Sequence, residues 1–305
     1  MIEILLSLAI VTQDQIPLRA GPQASAARHA VLTHGDMLEV RGIKGDYLQV
    51  YDHRRERAGY ILATQASRHD MGAKEAPKLR AVAEFLKNQQ GSESLGIAYS
   101  AAYLKVGESL DAGIFEAIGT MADRLAWRAS RANNAEAATI AAHMETAGSY
   151  GVKFLSIARD DKITLCYEGD VWRHVLAMPA TPEQKANAAL SLTRHECVKS
   201  TPSPVERLDT DLERAEVLDR VLAATQADLP VHLKNRLRIR AAGVWAGAAH
   251  RLATKQDSHS ATVIEAGQKA ETYLAGIDKS ELTASDIVAW NEAAVRVGAS
   301  RWAAQ

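Results

Sequence analysis

The chain has 305 residues, of which 47% are apolar and 24% charged, and its formal net charge at pH 7 is −1. That length suggests about two domains, and that balance excludes wholesale disorder, a collagen-like chain and a multi-span membrane protein. Near-neutral charge supplies no global field to recruit nucleic acid or an acidic membrane, and two cysteines exclude a disulfide-dense scaffold and a Cys-rich zinc protein. Alanine makes up about 18% of the chain against 5% aromatics, which favours closely packed helices.

The first ten residues are mostly aliphatic, with Glu3 as the sole charge. A secretory signal carries a basic leading region, and a membrane span takes about 20 apolar residues. The run therefore reads as a first strand with an apolar lead-in, or as a truncated signal peptide. Residues 9–66 read as β. Short alternating stretches at 9–13, 17–20, 30–32, 37–41 and 47–51, and one beginning at Gly59, are separated by turn signals such as Gly21-Pro22, Gly35-Asp36 and Gly45-Asp46. Several short strands at this spacing predict a small barrel or sandwich.

Three stretches carry a family resemblance. VTQDQIPLRAGPQASA (11–26), VLTHGDMLEVRGIKGDYLQVYD (31–52) and AGYILATQ (58–65) occur in order and at suitable spacing. Together they resemble a bacterial Src-homology-3-like (SH3b) domain over about a fifth of the chain. Tyr47 stands where that family often has Trp, and Pro17-Leu18 replaces its usual Leu-Asn-Val. The resemblance implies a small SH3-like β-barrel at 9–68 that recognises cell-wall peptide or glycan, or a protein partner.

Residues 67–74 read as a linker, and everything after them as helical. Apolar spacing predicts helices at 77–88, 94–106, 110–130, 135–148, 163–178, 182–194, 205–224, 231–254, 261–274 and 285–302. Thr181-Pro182 supplies an N-cap with proline at the first helical position, and Thr283-Ala-Ser-Asp286 supplies another cap. Helix pairs recurring at about 40–47 residues predict an all-helical, solenoid-like domain of helical hairpins over 75–305, with an irregular bundle as the other solution. No clean tetratricopeptide consensus is present.

Candidate chemistry is sparse. Asp52-His-Arg-Arg-Glu-Arg57 is the densest charge cluster and falls between two strands, where Arg54, Arg55 and Arg57 offer a fork for anionic groups. With Tyr47, Tyr51 and Tyr60 they form the predicted ligand-binding set. Cys166 and Cys197, read as lying on two successive helices, either bridge or stay as free buried thiols. A bridge would close a loop of about 30 residues and contribute about 3–4 kcal/mol, and it favours an oxidising compartment. A zinc site from Cys166, His174, His195 and Cys197 has the wrong spacing. The basic run Lys234–Arg240 reads as a solvated helix face, and Gly243-Val-Trp-Ala-Gly247 as a close contact between helices. No P-loop, dinucleotide fingerprint, nucleophile elbow or H-E-x-x-H occurs.

The sequence thus predicts a multi-domain α and β protein: an SH3-like barrel followed by a helical domain. The expected function is non-enzymatic binding in the bacterial envelope, periplasmic or secreted. The helical domain serves as a partner scaffold, with no cofactor, metal, nucleic acid or membrane span. The alternatives are a cytosolic scaffold and a cell-wall hydrolase. The sequence carries no signal for the oligomeric state.

Overall fold

The computed structural model describes residues 7–107, 110–159, 162–199, 203–225, 227–255 and 260–303. Two compact units are present: one runs to Ser156 and includes Ile163–Val171, the other comprises Ile157–Lys162 and residues from Trp172 onward.

The first unit opens with seven antiparallel strands: β1 Ser7–Val11, β2 Ile16–Arg19, β3 Arg28–Leu32, β4 Met37–Lys44, β5 Tyr47–Asp52, β6 Arg57–Leu62 and β7 Ala66–Asp70. Their order is β3-β2-β6-β5-β4-β1-β7, so β3 and β7 are edges and the sheet does not close into the expected barrel. The linker expected at 67–74 is mostly β7, which pairs antiparallel with β1 from Ala66 to Asp70. Its sequence Ser-Arg-His-Asp is polar because an edge strand needs few apolar side chains, and only His69 is buried. Strand β1 is buried on both faces, which explains its continuous apolar run. Ala9 and Val11 join Leu18, Leu32, Leu38, Val50 and Ile61 in the sheet core. Ile10 points the other way, into a cluster built by helices α1 Ala76–Lys87, α2 Glu93–Val106 and α3 Ala112–Ala129. Residues 1–6, where a truncated signal peptide was considered, lie outside the described residues.

Helices α1 to α3 pack on one another, and α4 Asn134–Gly148 packs on α2 and α3. The first compact unit therefore extends well past residue 68. Asp111 and Asn133 cap α3 and α4 by accepting two backbone N–H groups each. Glu93, fully buried at the start of α2, binds Arg124 Nε and Arg128 Nη1 at 2.6 Å each. Arg124 also donates to the carbonyls of Lys87 and Gln89, satisfying the C-terminal end of α1.

Helicity is not continuous past residue 75. Strands β8 Phe154–Arg159 and β9 Lys162–Tyr167 pair in a two-stranded sheet ahead of a shorter helix α5 Asp170–Ala177. The helix expected at 163–178 fails because Ile163, Thr164 and their neighbours are β-branched and aromatic, the residues a strand pair accommodates best. Cys166 is on β9 and Cys197 in a short 3-10 turn, His195–Cys197, rather than on two helices, and the two are disulfide-bonded.

The second unit holds α6 Pro182–Leu192, α7 Pro204–Thr225, α8 Val231–Lys255, α9 Ala261–Ala275 and α10 Ala284–Ala303. The predicted Thr181 cap is present as a reciprocal pair: Thr181 Oγ1 accepts from Gln184 N–H, and Gln184 Oε1 accepts from Thr181 N–H. Helix α8 packs against α6, α7, α9 and α10, so this unit is a bundle around α8. A solenoid would let each repeat touch only its neighbours. Ala241, Ala242, Ala246, Ala248 and Ala249 are buried on α8, which lets four helices approach it at once.

The Glu93 carboxyl is held below its ordinary range. Burial opposes this, but the Gly91 N–H, Arg124 and Arg128 outweigh it. A depressed folded-state pKa contributes stability above the unfolded value near 4.5 and loses it as pH falls through the folded value. Glu93→Gln is expected to cost about 3–5 kcal/mol at pH 7. In urea unfolding, the difference from wild type should shrink as the pH is lowered below about 4.5.

Candidate functional site

The second unit encloses a cavity of about 720 Å³. One stripe of α8 forms its floor: Arg240, Gly243, Val244, Gly247 and Arg251, spaced so that one helix face presents them all. Helix α7 contributes Arg207, Asp211 and Arg214 from successive turns, and α10 contributes Ala289, Glu292, Ala293 and Arg296 in the same way. The segment around His195–Lys199 and Arg159 of β8 complete the wall. Arg159 is fixed to that segment by donating to the carbonyls of Val198 and His195.

Seven arginine or lysine side chains therefore line the cavity against three carboxylates, a formal surplus of four positive charges in a chain whose total is −1. Among them, buried Asp211 takes Arg214 Nη1 on Oδ1 at 2.9 Å and Arg251 Nη1 on Oδ2 at 2.8 Å. Arg240 has a different environment. Its Nη1 donates to the Thr193 carbonyl at 2.8 Å, and Arg214 donates to that same oxygen. Thr193 is the C-cap of α6, so its carbonyl carries the negative end of a helix dipole. That is a partial charge shared between two full ones.

The acid–base properties follow. Burial pushes the Arg240 guanidinium down to about 10, with Glu196 opposing and Arg214, Arg194 and Arg296 adding repulsion. Arg214 is lowered by burial, partly offset by Asp211. His195, which pairs through Nδ1 with Glu196 Oε2 at 3.1 Å, is also lowered by burial, with Arg240, Arg296 and Arg159 repelling its charged form. Burial is the largest cause of all three shifts, and repulsion from neighbouring guanidinium groups adds to each. An anion placed among these groups would reverse them.

Two sequence readings change here. Gly243 and Gly247 do not serve a bare helix contact. A methyl group at Gly247 would lie 3.1 Å from Arg251 Nη1 and 3.3 Å from Asp211 Oδ2, and one at Gly243 would face Arg296. These glycines leave room for guanidinium groups. The basic run 234–240 is solvated only in part: exposed Arg236 pairs with Asp286 at 2.9 Å, Arg238 donates to the Gly276 carbonyl, and Arg240 lines the cavity.

The ligand-binding set expected in the first unit is divided. Tyr47 and Tyr51 alternate with buried Leu48 and Val50 on β5, and Tyr60 lies opposite Gln49 on β6. The three tyrosines thus share the outer face of the sheet, with Arg41 stacked over Tyr51 at 4.0 Å. Arg54 and Arg55 turn inward instead. Arg54 Nη2 meets Asp36 Oδ1 at 3.0 Å, and Arg55 Nη1 meets Asp52 Oδ2 at 2.7 Å and Asp36 Oδ2 at 3.1 Å. Both carboxylates are buried. Burial alone would lower Arg55, but Asp52 and Asp36 raise it, the reverse of Arg240. Arg57 is exposed and donates to the His29 carbonyl.

Compared with family models, with curated proteins and with solved structures, the chain matches none.

Arg55→Ala is expected to lower stability by about 2–3 kcal/mol, because it strips a charged partner from two buried carboxylates. Arg57→Ala should stay within about 0.5 kcal/mol of wild type. Urea unfolding of both variants checks the contrast.

Proposed function

We propose that this protein is a non-enzymatic binding protein whose α8-centred unit captures a small, multiply charged anion of phosphate type. The observation that carries the reading is Arg240, a desolvated guanidinium sharing one helix-terminal carbonyl within a cavity that holds seven cations and three carboxylates. Planar guanidinium groups suit bidentate contact with phosphate or carboxylate oxygens, and a cavity of about 720 Å³ falls in the range of small-molecule sites. The disulfide supports an oxidising compartment, consistent with an envelope location, periplasmic or secreted. No described helix is long and apolar enough to cross a membrane.

Calorimetric titration of the full chain with pyrophosphate tests this. One site per chain is expected, weakening as salt rises from 50 to 200 mM. Arg240→Met should weaken it about 30-fold or more, since truncating a buried charge partner costs about 2–5 kcal/mol. Arg296→Ala, at the exposed rim, should weaken it less. Absence of binding at millimolar pyrophosphate, or affinity unchanged in both folded variants, overturns the reading.

A second reading is favoured by the three tyrosines on one sheet face. As an SH3-like module, that face would recognise cell-wall peptide or glycan through Tyr47, Tyr51 and Tyr60, flanked by Arg57, with the helical unit as partner scaffold. The full chain should then co-sediment with purified peptidoglycan sacculi, and a Tyr47→Ala, Tyr51→Ala double variant should remain in the supernatant. Equal sedimentation of wild type and variant contradicts it.

A further inference from the structure

The first unit brings together three side chains that no part of the anion-binding account uses. Asp14 lies in the loop between β1 and β2, His34 in the turn between β3 and β4, and His143 on α4. One ligand atom from each lies within 4.8 Å of the other two. His143 Nε2 is 2.9 and 3.1 Å from the two carboxylate oxygens of Asp14, and the rings of His34 and His143 are 5.9 Å apart, centre to centre.

The surroundings hold this group rigidly. The His34 N–H donates to Asp14 Oδ1 at 3.1 Å, and the His34 carbonyl accepts from Ser94 Oγ at 2.8 Å. The next residue, Gly35, has φ +95°, and a Cβ there would lie 2.6 Å from the Ser94 carbonyl oxygen, so only glycine fits. The Gly35 carbonyl accepts from Tyr150 Oη at 2.5 Å, and Asp36 takes the Thr33 N–H and Thr146 Oγ1. The turn carrying His34 is thus tied to α2 and α4 on both sides of the imidazole.

His143 itself is costly where it stands. It is 3% exposed on a helix face whose other buried members include Ile140 and Ala147, where an aliphatic side chain would pack without penalty. Its Nδ1 is buried with no hydrogen-bond partner, and its Nε2 faces Asp14. A buried imidazole directed at one carboxylate and one further imidazole matches the donor set of a divalent transition-metal site.

We propose that Asp14, His34 and His143 bind one divalent first-row transition-metal ion of zinc type. The ion replaces the proton between His143 Nε2 and Asp14, and that proton is released to solvent. Zinc takes imidazole nitrogen and carboxylate oxygen at about 2.0–2.2 Å, so ligand atoms around one ion stand about 3–4 Å apart. Loading therefore draws the three groups together by about 1 Å, within reach of small side-chain rotations of Asp14 and His34. Asp14 is about one-third exposed, so a fourth coordination position faces solvent. The bound ion ties the β1–β2 loop, the β3–β4 turn and α4 together.

The test uses the full chain, disulfide intact, stripped with a chelator and titrated with Zn²⁺ by calorimetry and with Co²⁺ by visible absorption. One ion per chain is expected, with a Co²⁺ spectrum of low-symmetry nitrogen and oxygen ligation and a higher Tm in Zn²⁺. Asp14→Asn and His34→Ala change exposed or half-buried groups, and each should weaken binding at least tenfold and abolish the Zn²⁺-dependent rise in Tm while the circular dichroism stays native. His143→Gln serves as a third variant. Absence of stoichiometric uptake by the folded wild type overturns the proposal. Uptake unchanged in both Asp14→Asn and His34→Ala does the same, and assigns His143 and Asp14 as a plain hydrogen-bonded pair.

Discussion

A guanidinium cannot escape its charge by losing a proton at ordinary pH, so a fold that encloses one must supply an anion or leave the charge to something else. The first unit supplies the anion. Glu93 answers Arg124 and Arg128, and Asp36 and Asp52 answer Arg54 and Arg55, all at hydrogen-bonding distance. The second unit does so only in part. Asp211 is shared by Arg214 and Arg251, and Arg240 shares the Thr193 carbonyl with Arg214, with Glu196 the carboxylate that favours its charge. Close carboxylates thus answer the buried guanidinium groups of the first unit, while in the second they do so only in part.

That imbalance depends on how α8 is buried. Its alanines allow α6, α7, α9 and α10 to pack around it, and its cavity-lining face carries Arg240, two glycines and Arg251. With no side chains at Gly243 and Gly247, the guanidinium groups of α7, α8 and α10 reach into the same volume. The alanine content that first suggested a helical protein is therefore also what makes a cavity lined by three helices possible. The cost is a cluster of partly buried like charges: burial first, and then mutual repulsion, lowers Arg240, Arg214 and His195.

Much of the architecture was legible in the sequence. Alternation located six strands of the sheet, and the periodicity and caps of α6 to α10 placed those helices to within a few residues. The tyrosines at 47 and 51 share a face because period two dictates it. What failed did so for physical reasons. The edge strand β7 is polar because it needs few apolar contacts. Strand β9 has apolar and β-branched residues at a spacing that a helical reading can also absorb. Whether the sheet closes depends on long-range pairing that no local pattern records. The arginines of the cavity come from separate elements between residues 159 and 296. A helical wheel shows that Arg240, Gly247 and Arg251 share a face, but not which neighbours that face meets. Arg54 and Arg55 were misleading for the same reason: composition shows a basic loop, and only the fold shows that Asp36 reaches it. His143 sits alone in an alanine-rich helix, with Asp14 and His34 over a hundred residues away.

The central claim is that the cavity beside α8 is built to hold a phosphate-type anion. Anomalous diffraction from crystals of the full chain grown with tungstate would locate such an anion directly. The account predicts a peak inside the cavity, within hydrogen-bonding distance of the Arg240 guanidinium. Peaks confined to the outer surface, with the cavity holding only water, would contradict it.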